Sequence, residues 1–258
     1  MDWTPVSYAY DGSFAGFLTC VFASYAHREE PMSFSTPEDG RISLWPERTV
    51  DTDETRAQRV YRSLAPRLGQ EGRRLAVYGF LTCLEERELH LWRFLRLGYD
   101  RGPWVVRDLT DDRVAVLTRA VGHLTGEAHL LKGFTRFSEQ EGVLVGEIAP
   151  KNRVLPLLRP HFCARYPEES FVLYDRTHRE ALFYRPRRWA IVPLEAFRAA
   201  APGREERDFR RLWRRFYDTI AIEGRENPRC RMTQMPKRFW GTMTEFQNET
   251  EERKELAP

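Results

Sequence analysis

The spacing of apolar positions changes period several times along the chain, and each change marks an element. Near the start, YAYDGSFAGFLTCVFASYAHREE runs from an extended stretch through a turn into a helix. Phe14, Phe17, Leu18, Val21, Phe22 and Tyr25 recur at helical spacing, and Asp11 or Ser13 can cap the free amides at the helix start. From Pro31 to Val50 the pattern dissolves, which predicts a long loop docked through Leu44 and Trp45. A second helix begins after Asp51, with Asp51 and Glu54 at capping-box spacing, Ala57, Val60, Tyr61 and Leu64 as its inner stripe, and Pro66 as its kink or end. Residues 71–99 predict two further helices broken around Glu85 to Arg87, with Leu89, Trp92 and Leu95 facing inward on the second, and Gly102-Pro103 closing the pair.

The strongest helical signal lies between Asp111 and Gly133, where Val114, Leu117, Val121, Leu124, Ala128 and Leu131 alternate at three and four. Then the period becomes two. FTRFSEQEGVLVGEIAP reads as a hairpin, a short helix follows over 153–166, and FVLYDRTHREALFYRPRRWAIVPL reads as three strands with tight turns. A last helix, REERDFRRLWRRFYDTIAI, has Phe209, Leu212, Trp213, Phe216, Tyr217 and Ile220 on one face and most of Arg207, Arg210, Arg211, Arg214 and Arg215 on the other. The expected class is α+β, not a wound parallel sheet. A helical N-terminal half (1–133) packs with a mostly antiparallel sheet of about five strands and a C-terminal amphipathic, Arg-rich helix (134–240), as a single domain. Residues 241–258 read as a polar, acidic tail.

Composition narrows the function classes. Apolar residues make up 41% and charged residues 31%, which suits an ordinary globular protein and excludes a disordered one. No apolar run approaches the roughly 20 residues of a bilayer span and Asp2 spoils a basic signal-peptide start, so no membrane partner is expected and the cytoplasm is the expected location. Cys20, Cys83, Cys163 and Cys230 are widely separated, so neither a local metal cluster nor any cofactor is expected. No P-loop, GxGxxG after a strand, GxSxG or HExxH occurs.

The net charge is only +3, but of 41 cations all except Lys132, Lys151, Lys237 and Lys254 are arginine, whose planar fork suits phosphates and base edges. A GC-rich genome enriches arginine equally well, so distribution decides. Residues 201–240 hold eleven Lys or Arg against six Asp or Glu. Here NPRCRMTQMPKRFW alternates cations with Met232, Met235, Phe239 and Trp240, and phosphate contact with base stacking would need such a pairing. The bland alternative is a solvated helix face. The nucleic-acid candidates are Arg136, Arg210, Arg211, Arg214, Arg225, Asn227, Arg229, Lys237, Arg238 and Trp240.

His129 and Lys132, three apart on one helix with Arg136 following, could converge on an anion, with His129 moving a proton. Ordinary capping of a helix C-terminus explains them equally. His161 and Cys163, two apart on a helix, point in different directions and make a poor nucleophile–base pair. Asp11 and Gly12 could orient a substrate, though capping accounts for both.

The segments YDGSFAGFLTCVFASY, GEAHLLKGFTRF, VLPLLRPHFCARYP, IAIEGRENPR and MPKRFW, taken in order, resemble the probable DNA metabolism protein family over about Tyr8 to Trp240. This bacterial family has no assigned biochemical activity. It is encoded beside a radical-SAM DNA-repair protein and is sometimes fused to a uracil-DNA glycosylase-like domain. The resemblance implies DNA and that radical-SAM protein as partners, and a glycosylase-like protein as a further one. It implies an accessory role in repair or base modification. Its motifs fall on Asp11, Gly12, His129, Lys132, Gly133, Arg136, His161, Asn227, Pro228, Arg229, Pro236, Lys237, Arg238 and Trp240, without assigned roles, and Cys230-Arg231 departs from the pattern. Two readings compete with the accessory one: an enzyme acting on a nucleobase through His129 and Lys132, and a protein adaptor that never touches DNA.

Overall fold

The computed structural model describes residues 3–37, 43–197, 206, 208–213, 215, 229, 232–233, 235–244 and 246. The chain divides into two compact units, Met1–Leu124 and Thr125–Pro258.

The first unit is built on a parallel sheet. Strands β1 (Thr4–Ala9), β2 (Glu29–Ser35) and β3 (Glu47–Thr49) pair in the order β2-β1-β3, both ladders parallel. Helix α1 (Phe14–His27) carries the chain from β1 back to β2. Ser13, not Asp11, is its N-cap, its hydroxyl accepting from the Gly16 amide at 2.9 Å. The expected 31–50 loop therefore holds all of β3 and most of β2. Their apolar alternation is weak because polar side chains satisfy one another inside the sheet. Tyr8 donates to the buried Glu29 at 2.7 Å, Arg48 donates to the same carboxylate at 2.6 Å, and the Ser7 and Ser33 hydroxyls meet at 2.7 Å.

Helix α2 runs Glu54–Phe80, capped by Asp53, whose carboxylate accepts from the Arg56 amide at 3.0 Å. It passes through Pro66 and breaks its backbone at Gly69, where φ is 74°, a left-handed value that glycine adopts at little cost. Helix α3 (Arg87–Arg101) follows the turn at 81–86 and buries Leu89, Trp92 and Leu95 as its spacing predicts. The core gathers Tyr8, Phe17, Leu64, Trp92 and Phe94, each almost fully buried, and the Trp92 indole donates to Ser24 at 2.9 Å, so its one polar atom is satisfied.

Helix α4 (Asp112–Phe134) spans the division, burying Val114, Leu117, Leu124, Ala128 and Leu131 as expected. In the second unit β4 (Phe137–Gln140), β5 (Val143–Ile148), β6 (Ser170–Asp175), β7 (Glu180–Arg185) and β8 (Arg188–Pro193) pair in sequence order. Three ladders are antiparallel. The β5–β6 ladder is parallel, because helix α5 (Leu155–Arg165), within the expected 153–166, crosses over between them, so the five-stranded sheet is mostly antiparallel, as expected. Leu155, Leu158 and Phe162 of α5 are buried, and the Phe162 ring lies edge-on to Phe137 and Phe171. No helix among the described residues is long and apolar enough to cross a membrane.

Candidate functional site

The MPKRFW segment is a packing element. It forms a short 3-10 helix (Lys237–Thr242) in which Phe239 is buried against Phe134, with ring centroids 5.5 Å apart. Trp240 stacks on Phe246 at 4.6 Å, and its indole donates to the Met235 carbonyl at 3.1 Å. The Lys237 ammonium sits 5.8 Å from the Trp240 ring centroid. Arg238 lies 3.3 Å from Glu127, a carboxylate of α4 whose side chain is only 2% exposed. Glu127 also accepts from the Lys151 and Asn152 amides, at 3.1 and 2.9 Å, and from the Asn152 side chain at 2.7 Å. The buried charge is thus held by three hydrogen-bond donors and the Arg238 guanidinium, and it ties the turn after β5 to α4 and to the late segment.

Among the described residues, the arginines expected to line a groove go to separate partners. Arg210 is half-buried, donating to Glu206 at 2.8 Å and to Ser138 of β4 at 2.7 Å. Arg211 pairs with Asp208 at 2.9 Å. Arg136 closes the C-terminal end of α4, donating to the Gly133 carbonyl at 2.8 Å. Arg229 is exposed. Arg214, Arg225 and Asn227 lie outside the described residues. The expected inner stripe is reversed where it is described, with Phe209 70%, Leu212 66% and Trp213 43% exposed. Arg210 takes the sheet-facing position because it finds both a carboxylate and the Ser138 hydroxyl there.

His129 and Lys132 are both exposed on α4. Lys132 acts electrostatically on His161 of α5: burial, together with the positive charges of Lys132 and Arg165, holds His161 below the ordinary imidazole range. Burial pushes the Cys163 thiol up, with Arg159 opposing, so this thiol is a poor nucleophile.

A different group of cations lies at the end of the sheet where β6 begins. The β7–β8 hairpin turns through Pro186 and Arg187, the latter at φ 66°, and places Arg185 directly opposite Arg188. Like charges facing across a ladder destabilise it by some tenths of a kcal/mol, roughly 0.2–1. Yet Arg185, Arg187 and Arg188 form no ion pair with any described residue, nor do Glu168 and Glu169 of the preceding loop. Beside them Trp189 is 51% exposed, and the Arg159 guanidinium of α5 covers its ring at 4.1 Å. Arg165 lies over Tyr166 at 5.6 Å. The contrast within the unit is sharp, since Arg153, Arg176, Arg210, Arg211 and Arg238 each have a carboxylate.

At the other end of the sheet Asp175, fully buried, accepts from the Thr177 and His178 amides at 3.0 and 3.1 Å and meets His178 Nδ1 at 2.7 Å. This closes the β6–β7 turn, and Arg153 pairs with Glu180 beside it. Sequence reading missed both the Glu127 junction and this pair. The visible signal for the hairpin was YRPRRW itself, a run of cations around a turn proline.

Fold and surface together define an α+β protein whose second unit carries a sheet end where Arg185, Arg187 and Arg188 pair with no carboxylate among the described residues, flanked by an exposed tryptophan. Residues 85–245, more than half of the chain, match the DUF4130 family, a domain of unknown function, and the chain belongs to that family. No curated protein matches it.

Proposed function

We propose that this chain is a DNA-binding accessory factor in DNA repair or base modification, working with a radical-SAM enzyme. The observation that carries the DNA part is the uncompensated cationic surface of the second unit. Lys132, Arg159, Arg165, Arg185, Arg187 and Arg188 lack a carboxylate partner among the described residues, and the Arg185–Arg188 juxtaposition costs stability that a bound phosphate would recover. Trp189 adds an aromatic plane of the kind on which bases stack. The partner comes from the resemblance of YDGSFAGFLTCVFASY, GEAHLLKGFTRF and MPKRFW to proteins encoded beside such an enzyme.

In this reading Arg210, Arg211 and Arg238 contribute to the fold, and phosphates meet the hairpin and α5. The test is the affinity of the nucleic-acid-free protein for labelled single- and double-stranded DNA at several salt concentrations. Binding should weaken steeply with salt, because each neutralised phosphate releases counterions. Binding that is absent at low salt, or insensitive to salt, overturns the DNA part. Lesion-bearing DNA incubated with the chain alone and with the radical-SAM protein separates accessory from enzyme: a mass change only with both present supports the accessory role, and a change with the chain alone overturns it.

A further inference from the structure

Beyond the DNA reading, a cavity of about 610 Å³ lies in the first unit, lined among others by Asp11, Thr36, Glu47, Thr49, Asp51 and Thr52. It sits at the carboxyl ends of all three parallel strands. The chain leaves β1 for β2 on one side and returns as β3 on the other, so the crevice falls where the strand order reverses, the position at which open parallel sheets take their ligands. Most of this unit, including every residue named here, lies outside the 85–245 family match.

The chemistry of the crevice differs from that of a phosphate site. Two of the amides at the start of α1, those of Ser13 and Gly16, are already engaged by the protein's own groups. Asp11 accepts from the Ser13 amide at 2.9 Å, Ser13 accepts from the Gly16 amide, and the other Asp11 oxygen accepts from the Thr52 hydroxyl at 2.7 Å. Position 16 has to be glycine, since a Cβ there would come within 2.3 Å of Asp11 Oδ1. Burial raises the Asp11 carboxyl, but the bonds from Ser13 and Thr52 outweigh it and hold the group below the usual carboxylate range, so it stays ionised. Glu47 and Asp51 add two carboxylates that pair with no cation among the described residues, and the described lining residues include no lysine, arginine or histidine.

We infer that this crevice binds a small organic cation, a ligand carrying an ammonium or guanidinium group, through Asp11, Glu47 and Asp51, with the threonine hydroxyls fixing its orientation. A negatively charged nucleotide would meet three carboxylates and no cation among the described lining residues.

The experiment is calorimetric titration of the full-length, nucleic-acid-free protein with agmatine, putrescine and spermidine, and with adenosine and AMP as uncharged and anionic controls. At least one amine should bind, and Asp51→Asn should weaken it by about tenfold, the scale of one charge-assisted hydrogen bond, while Asp51→Glu retains it. Asp51 is exposed and makes no hydrogen bond or ion pair with a described residue, so Asp51→Asn should stay folded. DNA affinity, assayed in parallel, should be unchanged by it. Absence of amine binding at millimolar concentration, amine binding indifferent to Asp51→Asn, or AMP binding more tightly than every amine would each overturn the assignment without touching the DNA reading.

Discussion

Glu127 gives the sharpest prediction about stability. Its carboxylate is 2% exposed and accepts from two backbone amides and the Asn152 side chain, with Arg238 at 3.3 Å. Glu127→Ala would remove the acceptor of the Lys151 amide and of two Asn152 hydrogen bonds, at about 1–3 kcal/mol for each group left unsatisfied. The carboxylate's own desolvation is relieved in the same change, so the expected net loss is about 2–4 kcal/mol. Arg238 is 43% exposed and can return to water, so Arg238→Ala should cost less than about 1 kcal/mol through the charge, plus any packing lost over the Phe239 ring. Urea unfolding of both variants beside the wild type, with the affected transition assigned by hydrogen exchange in α5 and β6, measures the difference. A Glu127→Ala loss below about 1 kcal/mol, or equal losses for the two variants, would refute the argument that desolvated backbone donors carry the cost.

Three further predictions follow from local electrostatics and burial. The Arg113 side chain, donating to Asp111 at 2.7 Å, holds that carboxyl down at about 2. Because the folded value is depressed, the stabilisation is present above the unfolded carboxylate range near pH 4 and is lost as pH falls toward 2. Asp111→Asn should therefore cost on the order of 1 kcal/mol at neutral pH, after allowing for the exposure of Arg113, and little at pH 2. Lys132→Ala and Arg165→Ala should each raise the His161 titration midpoint measured by NMR, since both cations depress it now; an unmoved midpoint would show that they do not share a surface. Burial, with a smaller push from Asp11, raises the Cys20 thiol to about 12, so Cys20 should resist a thiol reagent until unfolding while the exposed Cys83 reacts in the native protein, as peptide mapping would reveal.

The long helices were legible because their stripes are continuous. Val114, Leu117, Leu124, Ala128 and Leu131 are buried where their spacing places them, and β7 and β8 fall within the expected strand run. The parallel sheet of the first unit was not legible. Glu29, Ser33 and Arg48 read as loop residues until Tyr8 and Ser7 are seen to satisfy Glu29 and Ser33 across the ladders, and pairing between distant segments leaves no local period. The candidate site followed the same logic. A count of charge along 201–240 treats all arginines alike, whereas the fold gives Arg210, Arg211 and Arg238 carboxylates and gives Arg185, Arg187 and Arg188 none among the described residues. Only a three-dimensional accounting of partners separates a charge that holds the fold from one open to a ligand.

The central claim is that the β7–β8 hairpin meets phosphates. Its most direct test is the salt dependence of DNA affinity for the wild type against Arg185→Gln/Arg187→Gln/Arg188→Gln, read by fluorescence anisotropy. The account predicts weaker binding and a log–log salt slope shallower by about 2–3, near 0.9 for each phosphate contact removed from a duplex. An affinity and slope unchanged from wild type would contradict it.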